Sequence, residues 1–190
     1  NQSLARELAV QRDDGEQARF LAYHDPLTRL PNREFFREQR AEAIAQSAVE
    51  GCQIGVILVD LDGFKDVNDR LGHAQRDRLL QKVARRLANC VRAVDSISRG
   101  RLGESSHMVS RLGGDEFTIL LEGTPHEGAL QVAERIRRSV AEEVFEGGAG
   151  NSVRVTISIG VATCPDHSSE RDELLDLADK AMYRAKSLGR

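Results

Sequence analysis

The stretch "VSRLGGDEFTILLEG", Val109 to Gly123, decides how the rest of this 190-residue chain is read. Two glycines, Gly113 and Gly114, lead directly into two carboxylates, Asp115 and Glu116, and then into the apolar run Phe117 to Leu121. The pattern predicts two short strands, one ending near Arg111 and the other over residues 117–121, joined by a glycine tip. A plain turn does not require adjacent negative charges, so the tip calls for a chemical explanation.

A second acidic loop lies upstream, in "CQIGVILVDLDGFKDVND" from Cys52 to Asp69. Residues 52–62 form a continuous β-branched and aliphatic run, the pattern of a central strand buried on both faces. Asp60 and Asp62 stand at its C-terminal end, where ligands tend to bind in open sheets. If this strand neighbours the hairpin, Asp60 and Asp115 converge with a backbone carbonyl between them. Hard oxygen donors from separate elements, with room for water and phosphate, suit Mg²⁺. Glycines at the tip allow its backbone to approach a ligand closely. Each feature alone also describes an ordinary solvated turn. Together with Lys65, Lys186 and Arg190 they point to a metal and an anionic polyphosphate.

Working outward, residues 1–22 are polar with a broken apolar stripe, predicting a connector helix that enters from an upstream partner. Asp25-Pro26 and Leu30-Pro31 punctuate the backbone, and Asn32 can cap a helix over 33–49. A short helix, a loop at Gly72-His73 and a long amphipathic helix over about 75–93 follow the buried strand. After the hairpin come a helix over 127–144, a turn at "EGGAGN", a strand over 153–163 and a last helix over 171–187. The alternation predicts an α+β domain, a mixed sheet with helices on its faces.

The 27 basic and 30 acidic residues leave a net charge of −3, which argues against a nucleic-acid surface driven by bulk charge. Cys52, Cys90 and Cys164 match no metal-ligand spacing and read as buried thiols in a reducing compartment. No apolar stretch reaches the length of a membrane span, so a cytoplasmic domain without membrane contact is expected, with any anchor outside these residues.

Five motifs in order carry a family resemblance: "DPLTRLPNR" (Asp25–Arg33), "DLDGFKDVND" (Asp60–Asp69), "GH" with the following Asp77, "RLGGDEF" (Arg111–Phe117) and "ADKAMYRAKSLGR" (Ala178–Arg190). The chain resembles the GGDEF family, diguanylate cyclase domains that condense two GTP into cyclic di-GMP, over residues 23–190. The resemblance implies a polymerase-palm-like fold with a central mixed five-stranded sheet ringed by helices. It implies Mg²⁺, or alternatively Mn²⁺, on Asp60, Asp115 and the carbonyl of Leu61. Asp115 and Glu116 would help deprotonate the attacking 3′-hydroxyl, and Lys65 would stabilise phosphate charge.

Gly113 and Gly114 would line the substrate, and Lys186 and Arg190 would hold its terminal phosphates. Asn68 and Asp77 fall at the guanine-binding positions, with His73 nearby. A carboxylate can accept from guanine N1–H and the exocyclic amine together, a donor pair that adenine lacks. Asp62 reads as structural, and Asp69 as solvated or capping. The resemblance further implies a homodimer with one GTP per domain, an upstream sensor, and a product-inhibitory site at Arg92 and Asp95 in "RAVD".

Two departures stand out. Arg76 occupies a position where the family usually has glycine, and it either crowds the base or swings into solvent; the solvent orientation is favoured. The extra stretch Gly100–Ser110 is expected to lengthen the hairpin, leaving "RAVD" at its helix end. His107, His126 and His167 read as solvated loop residues without a role. The alternative function is a non-catalytic GTP- or cyclic di-GMP-binding regulatory module.

Overall fold

The computed structural model describes residue 17 and residues 20–98, 107–146 and 152–189. Most of the expected connector therefore lies outside the described residues; residues 20–23 are its helical end. There Phe20 stacks on His24 with ring centroids 4.1 Å apart, and the Arg29 guanidinium lies 4.3 Å from the Phe20 ring centre.

Helix α1 spans Arg33–Glu50. The Asn32 side chain accepts from the Phe35 amide at 3.0 Å and so satisfies an orphan N–H at the helix start. Gly51, with φ 69°, closes the other end in the left-handed conformation. Strand β1 (Ile54–Leu61) follows, then α2 (Phe64–Leu71) and α3 (His73–Ser98), separated by Gly72 at φ 76°. The hairpin is β2 (Met108–Gly113) and β3 (Glu116–Glu122). Then come α4 (His126–Ala141), β4 (Phe145–Glu146), β5 (Ser152–Val153), β6 (Ile157–Cys164) and α5 (Arg171–Ser187).

The main sheet runs β2-β3-β1-β6, and each of its neighbouring pairs is antiparallel. Two β-α-β units interleave, so a strand of one always separates the parallel pair of the other. The α+β class with flanking helices stands. The mixed five-stranded sheet is, among the described residues, four-stranded and antiparallel throughout. The expected strand over 153–163 is also divided. Val153 pairs with Phe145 in a separate two-stranded ribbon, and only Ile157–Cys164 joins the main sheet. Between them Val155, 3% exposed, is buried in the same core as Ile157.

Strand β1 shows why its sequence is apolar without alternation. Ile57, Val59 and Leu61 face a core with Leu79, Leu80, Val83 and Leu87 of α3 and Val132 and Ile136 of α4. Ile54, Val56 and Leu58 face the opposite layer with Phe36 of α1 and Leu174, Ala178 and Met182 of α5. Successive side chains point to opposite faces and both faces are covered. Each fully buried aliphatic side chain contributes about 1.5–3 kcal/mol. Helix α5 presses tightly on β6: a Cβ built on Gly160 would lie 1.9 Å from the Ala178 carbonyl oxygen. That close approach fixes the helix carrying Lys186.

Two helices differ in extent from expectation. Helix α3 starts at His73 and runs to Ser98, and α4 ends at Ala141, leaving Val144 43% exposed beyond it. The Gly100–Ser110 stretch is not wholly an excursion, because Met108–Ser110 forms the first half of β2; residues 99–106 lie outside the described residues. Among the described residues no helix is long and apolar enough to cross a membrane. Cys52, Cys90 and Cys164 are free thiols, but of the three expected to be buried only Cys164 is; Cys52 and Cys90 are half-buried.

Candidate active site

The end of β1 and the hairpin tip meet. In the β1–β3 ladder Asp60 stands opposite Glu116, which places Asp115, one residue earlier, at the turn beside it. The ladder slips between Arg111 and Gly113, and the tip itself consists of Gly113 (φ 144°) and Gly114 (φ 55°). No atom lies within 4 Å of a Cβ built on either glycine, so the turn needs them for backbone conformation, and its outer side is open.

Helix α5 brings Lys186 across the same sheet end, with Nζ 2.7 Å from Asp60 Oδ1. The Asp60 side chain is only 13% exposed. Burial raises the Asp115 pKa above the usual carboxylate value, and the adjacent Asp60 charge raises it further. A backbone hydrogen bond, Lys186 and Arg111 oppose that rise without cancelling it. Two carboxylates crowded at a partly desolvated sheet end favour a cation between them.

The tip is held from below by residues used in the sequence reading only as punctuation. Arg111 donates through Nη2 to the Gly114 carbonyl at 2.7 Å and through Nη1 to Asp25 Oδ1 at 2.8 Å. Thr28 donates to the same Asp25 oxygen from its amide at 2.8 Å and its hydroxyl at 2.7 Å. Burial pushes the Asp25 pKa up, but the bonds from Thr28 and Arg111 outweigh it and hold the carboxyl below its ordinary value. Arg33 Nε donates to the Leu112 carbonyl at 3.3 Å, and its Nη2 lies 3.7 Å from Glu116. An Asp before proline with Thr three residues on is the signature of a side-chain-closed turn, a signal in the sequence that the reading of Asp25-Pro26 as punctuation passed over.

Leu61 is buried and its backbone pairs with Ile157, so it offers the site only a carbonyl. Asp62 accepts from the hydroxyls of Thr156 and Ser158, each at 2.7 Å, which agrees with a structural role. Lys65 is exposed on α2, as is Asp69. Asn68 lies on the same helix, its side chain outside the described set. His73 opens α3, and Asp77 follows one turn later. Arg76 does not swing free into solvent: its Nε and Nη2 donate to Asp77 Oδ1 at 3.0 and 2.8 Å. A carboxylate one residue away in the helix is a better partner than water for a guanidinium already at that helix surface.

Arg190, the side chain of Asp95 and the connector before residue 17 lie outside the described residues. Arg92 is exposed on α3, about 22 Å along the helix from Asp77. It lines a surface cavity of about 400 Å³ with Arg29, Arg85 and Asn89. Of the histidines read as solvated loop residues, His126 instead begins α4 and packs against His167 with ring centroids 4.8 Å apart. His107 is half-buried.

The donor set fits a magnesium ion. Among the described residues no three His, Cys, Asp or Glu side chains cluster as a closed metal cage. Two carboxylates, a carbonyl and an open tip are instead the few hard oxygens Mg²⁺ takes when water and phosphate complete its shell.

Comparison with known proteins gives concordant results. The family model "Diguanylate cyclase, GGDEF domain" matches residues 22–190. The bifunctional diguanylate cyclase/cyclic di-GMP phosphodiesterase MucR of Pseudomonas aeruginosa is 39% identical over 170 residues, 90% of this chain and 23% of that protein. The structure of an N-terminally truncated TpbB (YfiN) comprising only its GGDEF domain, from the same organism, is 37% identical with a TM-score of 0.78, covering 88% of this chain and 90% of that one. The coiled coil and GGDEF domain of DgcB from Caulobacter crescentus, solved with c-di-GMP, is 26% identical with a TM-score of 0.82, covering 99% and 93%. The chain spans 38% of full-length TpbB, so like MucR that protein is much longer than this chain.

Proposed function

This chain belongs to the diguanylate cyclase GGDEF family, and on that premise we propose that it condenses two GTP into cyclic di-GMP, releasing pyrophosphate from each. The observation that carries the reading is the convergence of Asp60, Asp115, Glu116 and Lys186 at one sheet end behind an open glycine tip.

Asp60, Asp115 and the Leu61 carbonyl would hold Mg²⁺. When bound, it neutralises phosphate charge and eases ionisation of the 3′-hydroxyl. Asp115 stands at the open tip beside Asp60, where it would accept that hydroxyl's proton. Lys186 stands where it can exchange Asp60 for the terminal phosphates, and exposed Lys65 meets the phosphates from α2. Arg190 completes the phosphate set. Asn68 and Asp77 read the guanine, with His73 at the same helix start.

One site binds one GTP, so two domains face each other and each 3′-hydroxyl attacks the α-phosphate held by the partner. An upstream sensor acting through the connector would control that encounter. The cavity beside Arg92 is lined by three arginines, chemistry that suits the anionic product as an inhibitor. Incubating the purified domain with GTP and Mg²⁺ at low and high protein concentration, with products identified by mass, tests the reading. Cyclic di-GMP rising more than in proportion to protein supports it. GTP binding without product, even from a tethered dimer, would leave a regulatory module instead.

A further inference from the structure

We propose that Arg76 is a third reader of the guanine base, acting as one composite edge with Asp77. This inference rests on Asp77 as the guanine-binding carboxylate. It adds a specificity residue from the one position where the motif departs from glycine.

The geometry is asymmetric in a useful way. Arg76 does not fork across both carboxylate oxygens; Nε and Nη2 both converge on Oδ1, at 3.0 and 2.8 Å. Oδ2 accepts no hydrogen bond among the described residues. Nη2 carries two hydrogens, and one of them is not spent on Asp77. The two Arg76 hydrogens occupy the two lone pairs of Oδ1, which leaves both lone pairs of Oδ2 for the base. The pair therefore presents an acceptor for two donors (Oδ2) and, beyond Oδ1, a donor (Nη2).

Guanine presents the complement along one edge: the exocyclic amine, N1–H and O6. With Oδ2 accepting from both the amine and N1–H, O6 falls on the side that Arg76 occupies. The Nη2 hydrogen then meets an acceptor. Adenine sets its amine against that donor and its N1 lone pair against the carboxylate, so it is rejected at two points. Both side chains are partly exposed, 33% for Arg76 and 39% for Asp77, so the pair adds little to folding and is open to a base.

Binding titrations in EDTA, where no metal supports turnover, test this with GTP, 6-thio-GTP, ITP and ATP on the parent chain, Arg76→Ala and Arg76→Met. 6-Thio-GTP keeps N1–H and the amine and weakens only the O6 acceptor; ITP keeps O6 and lacks the amine. The parent should lose about ten-fold in affinity with 6-thio-GTP, the scale of a charge-assisted hydrogen bond. Both variants should bind GTP more weakly, with a 6-thio penalty below about two-fold, while their ITP penalty matches the parent's and their unfolding temperature is unchanged. An undiminished 6-thio penalty in the variants overturns the proposal, as does tighter GTP binding, which would make Arg76 a competitor for Asp77. If the parent discriminates against neither ITP nor ATP, the guanine assignment of Asp77 falls, and this inference with it.

Discussion

Arg111 ties Asp25, at the mouth of the domain, to the carbonyl of Gly114 at the hairpin tip, with contacts of 2.8 and 2.7 Å from one guanidinium. The Arg111 amide also bonds the Pro31 carbonyl at 2.9 Å, so the loop before α1 holds the hairpin by backbone and side chain alike. Rigid support of this kind is what keeps a catalytic carboxylate within the small tolerance its chemistry allows.

Arg111→Ala should cost about 2–4 kcal/mol of stability, because it strands the largely buried Asp25 carboxylate, whose side chain is 17% exposed. Turnover should fall further than GTP affinity, since the tip is displaced while the base site on α3 is not. The pH dependence has a definite sign. The Asp25 pKa is lowered in the folded protein, so its contribution is present above the unfolded value and disappears as pH falls through the folded one. Thermal unfolding of the parent and of Asp25→Asn should therefore converge in acid and separate above it.

Asp115→Asn should lose activity by about 3–4 kcal/mol of transition-state stabilisation or more, yet be slightly more heat-stable than the parent without metal at neutral pH. The raised Asp115 pKa means that its ionised form opposes folding. The stability it supplies when protonated is complete below the unfolded value and is lost as pH rises through the folded one. Added Mg²⁺ should raise the parent's unfolding temperature at neutral pH, with little effect on the variant. Differential scanning fluorimetry with and without Mg²⁺ reads both; a variant no more stable than the parent would sink the electrostatic account.

Gly160→Ala should destabilise the fold by about 1–3 kcal/mol or more, since the added methyl meets the backbone of α5 rather than a movable side chain. Activity per folded molecule should fall as well, because α5 must shift and it carries Lys186. Equilibrium urea unfolding gives the first quantity and active-fraction-corrected turnover the second.

Arg92→Ala should weaken cyclic di-GMP binding by about ten-fold or more while leaving initial turnover at low product unchanged. Calorimetric titration with product is the check. Equal affinity would remove Arg92 from any inhibitory site.

How far the fold could be read in advance varied with what each element depends on. Helices α1 and α5, the β1 run and the hairpin were legible because local rules set them: the Asn32 cap, a turn of two glycines, and apolar periodicity. The split of the last strand was not legible. "VRVTISIGVAT" is uniformly β-prone, and its division between two sheets is set by pairing of one half with the distant Phe145–Glu146 and of the other with β1.

By itself, then, the sequence determined the order of the main helices and strands, the α+β class and the residue types of the site, since periodicity, caps and the ordered motifs are properties of contiguous residues. Tertiary structure alone decided which groups meet. It set Asp60 opposite Glu116, Lys186 on Asp60, Asp25 under the tip through Arg111, and Arg76 on one oxygen of Asp77. Ladder register and side-chain pairing depend on burial and on competition among distant partners, and no local stretch of chain encodes the outcome of that competition.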